Sequence, residues 1–304
     1  MNDIEKSILK TIAYFDIFSR PLKEKEIFEN LQKINDRKEV SFFKFKQILQ
    51  NLELKKNIEN KDNLYFLKGE KNIIEQRKNR EETSERNWKK LEKISKKINH
   101  IPCLRRVFVS GSLAINNSNE KSDIDLLIIA SASRIFTIRF FLTLLLDIIG
   151  ERRQPGKIAG KICLNHYLTE DNLKVTFPSL YNAYTYFHLL PIIDRGRVFE
   201  KFRKENNWIK DYILFWEKKF KAPFQIKKDL KTAKFLEKIL LGNFGNWLEK
   251  RFKESQLKRK KEHYPEEIKK GRVILEDNLI ELHPDSPEEE ILKEYKKRIT
   301  KLNL

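Results

Sequence analysis

The sequence predicts an α+β chain, mostly helical, with a small mixed β-sheet core between a helical N-terminal unit and a helical C-terminal region. Three features predict this class. Apolar residues recur at helical spacing over the first hundred residues. From Ile101 the pattern changes to short apolar runs bounded by polar turns, as buried strands require. Beyond Pro178 helical periodicity returns. The 304 residues divide accordingly into 1–70, a linker helix over 71–100, a core over 101–175 and a helical region over 176–304.

In the first segment Ile4, Ile8, Ile12 and Phe15 line one helix. Pro21 disfavours helix at Arg20, which makes Phe18–Pro21 a loop. A second helix turns Ile27 and Leu31 inward. Ser41 fits the N-cap of a third helix, residues 42–56, whose apolar positions are Phe42, Phe45, Ile48, Leu49 and Leu52. Two short strands follow, turning at Lys61-Asp62-Asn63. This order of three helices and a hairpin resembles a winged helix-turn-helix. On that resemblance the third helix, with Lys44, Lys46, Lys55 and Lys56, is the recognition helix. The unit then either contacts DNA or RNA or acts as a packing module. The linker helix is highly charged, with one apolar stripe of Trp88, Leu91, Ile94 and Ile98.

The core reads as strands over 105–110, 123–130 and 161–168. A buried helix over 133–149, ended by Gly150, joins the second strand to the loop before the third. Its run from Ile135 to Ile149 is the longest apolar stretch in the chain. It is short of the ~20 residues of a membrane span and contains Arg139 and Asp147, so no membrane partner is expected. The C-terminal region reads as helical from 178 to about 268, interrupted near Pro191 and Pro223. Phe235, Ile239, Leu240 and Phe244 have ordinary core spacing there. Residues 272–282 form a hairpin turning at Asp277-Asn278. Ser286, Pro287 and Glu289 fit N-cap, N1 and N3 of a capping box, which makes His283 and Asp285 the lead-in to a last helix rather than metal ligands.

The formal net charge is +19, and the excess of Lys and Arg runs through the whole chain. Residues 101–200 carry 12 basic and 9 acidic groups, against 24 and 17 before them and 27 and 18 after, so the least charged third is the predicted core. Such a surface either attracts polyanions or is simply lysine-rich. The basic run Lys250–Lys261 fits a solvated helix face better than a phosphate track. Two cysteines, Cys103 and Cys163, make no disulfide framework and no zinc spacing, and fit reduced core residues of a cytoplasmic protein. The polar N-terminus has no signal-peptide pattern.

The chemistry concentrates between Val107 and Ala130. A buried strand ends at Gly111-Ser112, and after a ten-residue spacer Asp123-Ile124-Asp125 opens the next. Gly111 lets the backbone turn sharply and approach a ligand. Ser112 offers a hydroxyl and a backbone N–H where a helix begins, which favours phosphate. Asp123 and Asp125, two apart on a strand, point the same way. Paired carboxylates repel unless a cation joins them, and hard oxygens suit Mg²⁺.

Gly111, Ser112, Asp123 and Asp125, at this spacing between apolar strands, resemble the signature of the polymerase-beta-type nucleotidyltransferase superfamily. The resemblance extends loosely over residues 85–175. It implies transfer of a nucleoside monophosphate from a nucleoside triphosphate to an acceptor hydroxyl, with two Mg²⁺ ions held by Asp123 and Asp125. Gly111 and Ser112 would bind the triphosphate. Two departures stand out. The third carboxylate that active members place on the next strand aligns with Asn165, on the face shared by Lys161, Cys163 and Tyr167, with His166 on the other. The basic residue some members carry after Gly-Ser is replaced by Leu113-Ala114. Phosphate contacts from Arg152, Arg153 or Lys157 would substitute, although a solvent-exposed loop is the simpler reading of that segment. The alternative function is a catalytically impaired relative, acting as a nucleic-acid-binding regulator or as one half of a toxin–antitoxin pair.

Overall fold

The structure, a computed structural model, describes residues 1–33, 40–55, 57–69, 72–195, 198–226, 231–263 and 271–304. Helix makes up 51% of the described residues and strand 19%, so the expected mostly helical α+β class holds.

The N-terminal unit contains α1 (Asp3–Asp16), α2 (Glu24–Glu29) and α3 (Phe42–Leu54), followed by a hairpin of β1 (Ile58–Lys61) and β2 (Leu64–Leu67). Local chemistry explains the starts. Asn2 and Glu5 form a reciprocal capping box on α1. The Ser41 hydroxyl accepts from the Lys44 amide, so Ser41 is the N-cap expected. The hairpin turns at Asp62 and Asn63, both left-handed at φ 56° and 59°. Residue 56, the expected end of the third helix, lies outside the described residues.

The linker helix is α4 (Ile73–Ile98), and its stripe of Trp88, Leu91, Ile94 and Ile98 is buried as expected. Then come β3 (Leu104–Val109), the single turn α5 (Gly111–Ala114), β4 (Ile124–Ala130), α6 (Ile135–Ile148) and β5 (Ile162–Thr169). The remainder is α7 (Leu180–Phe187), β6 (Leu190–Asp194), α8 (Val198–Glu205), a 3-10 turn (Asn207–Asp211), α9 (Lys231–Leu240), α10 (Asn243–His263), the hairpin β7 (Arg272–Leu275) and β8 (Leu279–His283), and α11 (Glu288–Lys301).

Among the described residues six strands form one mixed sheet in the order β6-β3-β4-β5-β8-β7, with β4 and β5 parallel and the other neighbouring pairs antiparallel. Three of the six come from beyond residue 176: β7 and β8 are the hairpin expected there, and β6 corrects the reading of its stretch as helical. Pro191 does not break a helix there; it sits in β6 opposite Phe108. β6 is an edge strand, where a missing N–H is tolerated. Residues 212–226 are not helical either. The expected extension of a helix to residue 268 falls partly outside the described residues, and α10 is described to His263.

Each sheet face buries its own core. Phe108, Leu127, Ile129 and Leu168 pack with α7, α8 and the apolar side of the N-terminal unit. Leu126, Ile128 and Tyr167 face the other way, against α4 and α6. The N-terminal unit is also tied down by polar contacts. Glu26 bridges Arg20 at 2.9 Å and Arg77 of α4 at 2.8 Å. Tyr14 of α1 stacks on Tyr184 of α7 at 4.3 Å, and the Tyr184 hydroxyl donates to the Asn30 carbonyl.

Two further expectations fail. The N-cap of α11 is Pro287, without a side-chain cap, because Ser286 sits one residue too early for a capping box. Phe235, Ile239 and Phe244 are exposed at 66%, 45% and 56%, and only Leu240 of that stripe is buried.

Candidate functional site

Strand β3 delivers Ser110 and Gly111 to the sheet edge, where the Ser110 amide donates to the Asp125 carbonyl at 3.0 Å. Gly111 has φ +64°, and a Cβ there would lie 2.6 Å from Oδ2 of Asp125. Glycine is therefore required twice over, by backbone conformation and by contact with a carboxylate. Ser112 lies one residue further round the turn, and its hydroxyl meets the Ser118 hydroxyl at 3.3 Å.

Asp125, on β4, faces into the site with Leu127, and Asp123 immediately precedes the strand. One oxygen from each aspartate and the Cys163 sulfur all lie within 4.8 Å of one another. Arg153 reaches this cluster from the loop before β5. It donates to Asp123 Oδ2 at 2.8 Å and to Cys163 Sγ at 3.4 Å. Arg153 is thus not an idle loop residue. Arg152 does pair away from the site, with Asp147, and Lys157 is exposed.

Register explains why His166 joins Cys163 and Asn165 on the side of the site. Asp125 pairs with Cys163 and Leu127 pairs with His166, so two steps on β4 match three on β5. The extra residue is a β-bulge at Leu164–Asn165. Strict alternation, which assigned Asn165 and His166 to opposite faces, breaks there, and both line the same cavity. The Asn165 amide donates to Asp125 and lies 3.2 Å from Nδ1 of His283. His283, at the end of β8, is therefore part of the site, as is Asp285 on its rim, and neither is only a lead-in to a helix.

Electrostatics follow from burial. Asp125 is pushed up to about 7, first by desolvation and then by the charge of Asp123, against the pull of Arg153 and hydrogen bonds from Cys163 and Asn165. The Cys163 thiol is raised by burial and by both aspartates, so it keeps its proton. His166 and His283 drop to about 4, mainly through burial, and are neutral. A neutral His283 can accept from Asn165 through Nδ1.

The cavity holds about 240 Å³ and is closed on its far side by Tyr181 and Asn182 of α7 and by Arg272 and Glu281. That volume is below the roughly 300 Å³ at which small-molecule pockets begin. A larger cavity of about 1040 Å³, walled by Phe28, Phe42 and Phe215, shares no residue with it.

Sequence reasoning brought Gly111, Asp123, Asp125 and Asn165 to one place. It missed Cys163 and His283 as site residues, and it weighed Arg153 as surface. No family model, no curated protein and no solved structure matches this chain.

Proposed function

We propose that the chain is a Mg²⁺-dependent nucleotidyltransferase that moves a nucleoside monophosphate from a nucleoside triphosphate onto an acceptor hydroxyl. One observation carries this reading: the Gly111 turn lies directly on the carboxylate of Asp125, with Asp123 beside it. The strand order supports it, since the glycine ends a strand antiparallel to the one bearing the aspartates, and the Asn165 strand runs parallel on the other side.

The donor set fits a hard divalent cation. Two carboxylates share one pocket, and burial together with the charge of Asp123 raises the carboxyl of Asp125, a cost that a bound cation would relieve. Asp123 and Asp125 would hold Mg²⁺, which when bound supplies charge neutralisation at the phosphates. The thiol of Cys163, still protonated, is a poor partner for Mg²⁺. Gly111, lacking a side chain, lets its backbone lie against Asp125 and leaves the turn open to a phosphate. Arg153, released from Asp123, can turn its charge on the triphosphate. In the reaction the acceptor hydroxyl would lose its proton to solvent as its oxygen bonds the α-phosphorus, and the bond to pyrophosphate would break in line.

The test is direct. The chain is incubated with Mg²⁺ and each α-labelled triphosphate in the presence of RNA, protein and small hydroxyl acceptors. Pyrophosphate release with label transfer, lost in Asp123→Ala and Asp125→Asn, supports the reading. Its absence with every triphosphate and acceptor speaks against it.

A second reading has its own observation. Asn165 binds Asp125 as a donor and cannot take a proton from the acceptor, while Arg153 already supplies Asp123 with a cation. This favours an impaired transferase that binds nucleotide and works through the winged-helix-like unit. The recognition surface would be the exposed side of α3, with Lys44, Gln47 and Asn51. Lys46 and Lys55 are less available, being paired with Glu24 and Glu5. Duplex DNA binding by full-length protein, unchanged in Asp123→Ala, would favour this reading.

A further inference from the structure

We infer that the hairpin of α9 and α10 is a docking surface for an anionic membrane. The inference is independent of the transferase reading. Exposed Phe235, Leu236, Ile239, Leu241, Phe244 and Trp247 all lie on this one hairpin. On α9 the buried Ala233 and Leu240 share one side, and Phe235, Leu236 and Ile239, at i, i+1 and i+4, take the opposite side. On α10 Phe244, Trp247 and Arg251 form an outward stripe. Phe244 stacks on Trp247 with their centroids 6.1 Å apart, and the Arg251 guanidinium lies over the Trp247 ring.

The hairpin is attached by Leu240, Leu248, Phe252 and Leu257, which pack into the core beneath it, and by its polar groups. Arg134 donates to the Leu240 carbonyl at 2.6 Å and to Asn246 Oδ1 at 2.7 Å. Glu249 accepts from the amides of Phe136 and Thr137, and Glu237 pairs with Arg105. Gly245 permits the tight fold-back, since a Cβ there would collide with the Leu240 backbone. Glu237 and Glu249 are the only acids between 231 and 251, and both serve these inward contacts. The outward face is left with large apolar side chains amid exposed Lys231, Lys234, Lys238, Lys250 and Arg251.

A second apolar face turned outward, on a hairpin whose inner apolar face already packs on the core, is what water selects against. It is the pattern of a helix that lies in a lipid interface, with Trp and Phe among the acyl chains and lysines at anionic headgroups. No helix among the described residues is long and apolar enough to cross a membrane, and interfacial binding requires none. A second copy of the chain fits less well, because it brings the same five cations and a net charge of +19. Single-stranded nucleic acid would use the three aromatics, but it leaves Leu236, Ile239 and Leu241 facing water.

The experiment is flotation of the full-length chain with vesicles of phosphatidylcholine alone or mixed with phosphatidylglycerol. Binding is expected only to the mixed vesicles and weakens as salt rises. The triple variant Phe235→Ser, Phe244→Ser, Trp247→Ser should lower the bound fraction at least about tenfold with an unchanged circular dichroism spectrum. Lys234→Glu with Lys238→Glu should weaken binding without touching the apolar side chains. The inference fails if mixed vesicles float without the protein, or if the triple variant binds as wild type does. It also fails if the same substitutions dissolve a dimer or abolish RNA binding while vesicles are ignored.

Discussion

At the residue scale, Gly111 and Arg153 set what the site can hold. Gly111→Ala places a Cβ against Asp125 at a backbone angle that alanine resists. Urea denaturation should show a loss of about 1–3 kcal/mol, and the aspartates should move apart enough to weaken divalent-ion binding. Arg153→Gln removes the cation that competes for Asp123. Calorimetry should find Mg²⁺ bound severalfold more tightly on its own and triphosphate bound about tenfold more weakly, since one charged contact to phosphate is gone. A parallel fall in both affinities would assign Arg153 a merely structural role. Of the four residues that the motif spacing picked out, Gly111, Asp123 and Asp125 were legible and line one cavity because strands deliver their ends predictably, whereas the Ser112 hydroxyl meets Ser118 instead. Arg153 was not, because its approach depends on how a loop folds over a strand 30 residues away in sequence.

Elements decide the rest of the site's shape. The bulge in β5 turns Asn165 and His166 into the same cavity, and no periodicity signals an inserted residue. The strand β6 was hidden for a related reason. Its apolar run is short, lies between two helices and contains Pro191, so helix and edge strand read alike until Phe108 is known to be its neighbour. The hairpin of β7 and β8 was legible from Asp277-Asn278, but its docking beside β5, which brings in His283, is a long-range pairing. Helix α6 illustrates how one element completes another. Its N-terminus has no local side-chain cap, and Glu249 of α10 accepts from its first amides at 2.9 and 2.8 Å. Glu249→Ala should cost about 1–2 kcal/mol in denaturant titrations, the size of a lost cap, and Glu249→Gln, which retains one acceptor, should cost less.

For the whole molecule, the two cores and the Arg20–Glu26–Arg77 bridge join the N-terminal unit to the sheet, so acid should unfold them together. His166, His188 and His283 are each lowered to about 4 by burial. A histidine with a depressed folded pKa contributes stability above about 6.5 that is lost as pH falls through 4, each by at most about 3 kcal/mol. Asp125, raised to about 7, works in the opposite direction, favouring the fold at acid pH and losing that contribution as pH rises through 7. Three histidines outweigh one aspartate, so stability should decline from pH 6.5 to 4. Asp125→Asn should steepen the decline and His188→Gln should flatten it, as followed by urea midpoints across that range. The central claim, that Asp123 and Asp125 together hold a divalent ion beside a nucleotide, is tested most directly by electron paramagnetic resonance with Mn²⁺ as the probe. The account predicts saturable Mn²⁺ binding that tightens with a non-hydrolysable triphosphate and disappears in both Asp123→Ala and Asp125→Asn. Equal Mn²⁺ binding in wild type and both variants would contradict it.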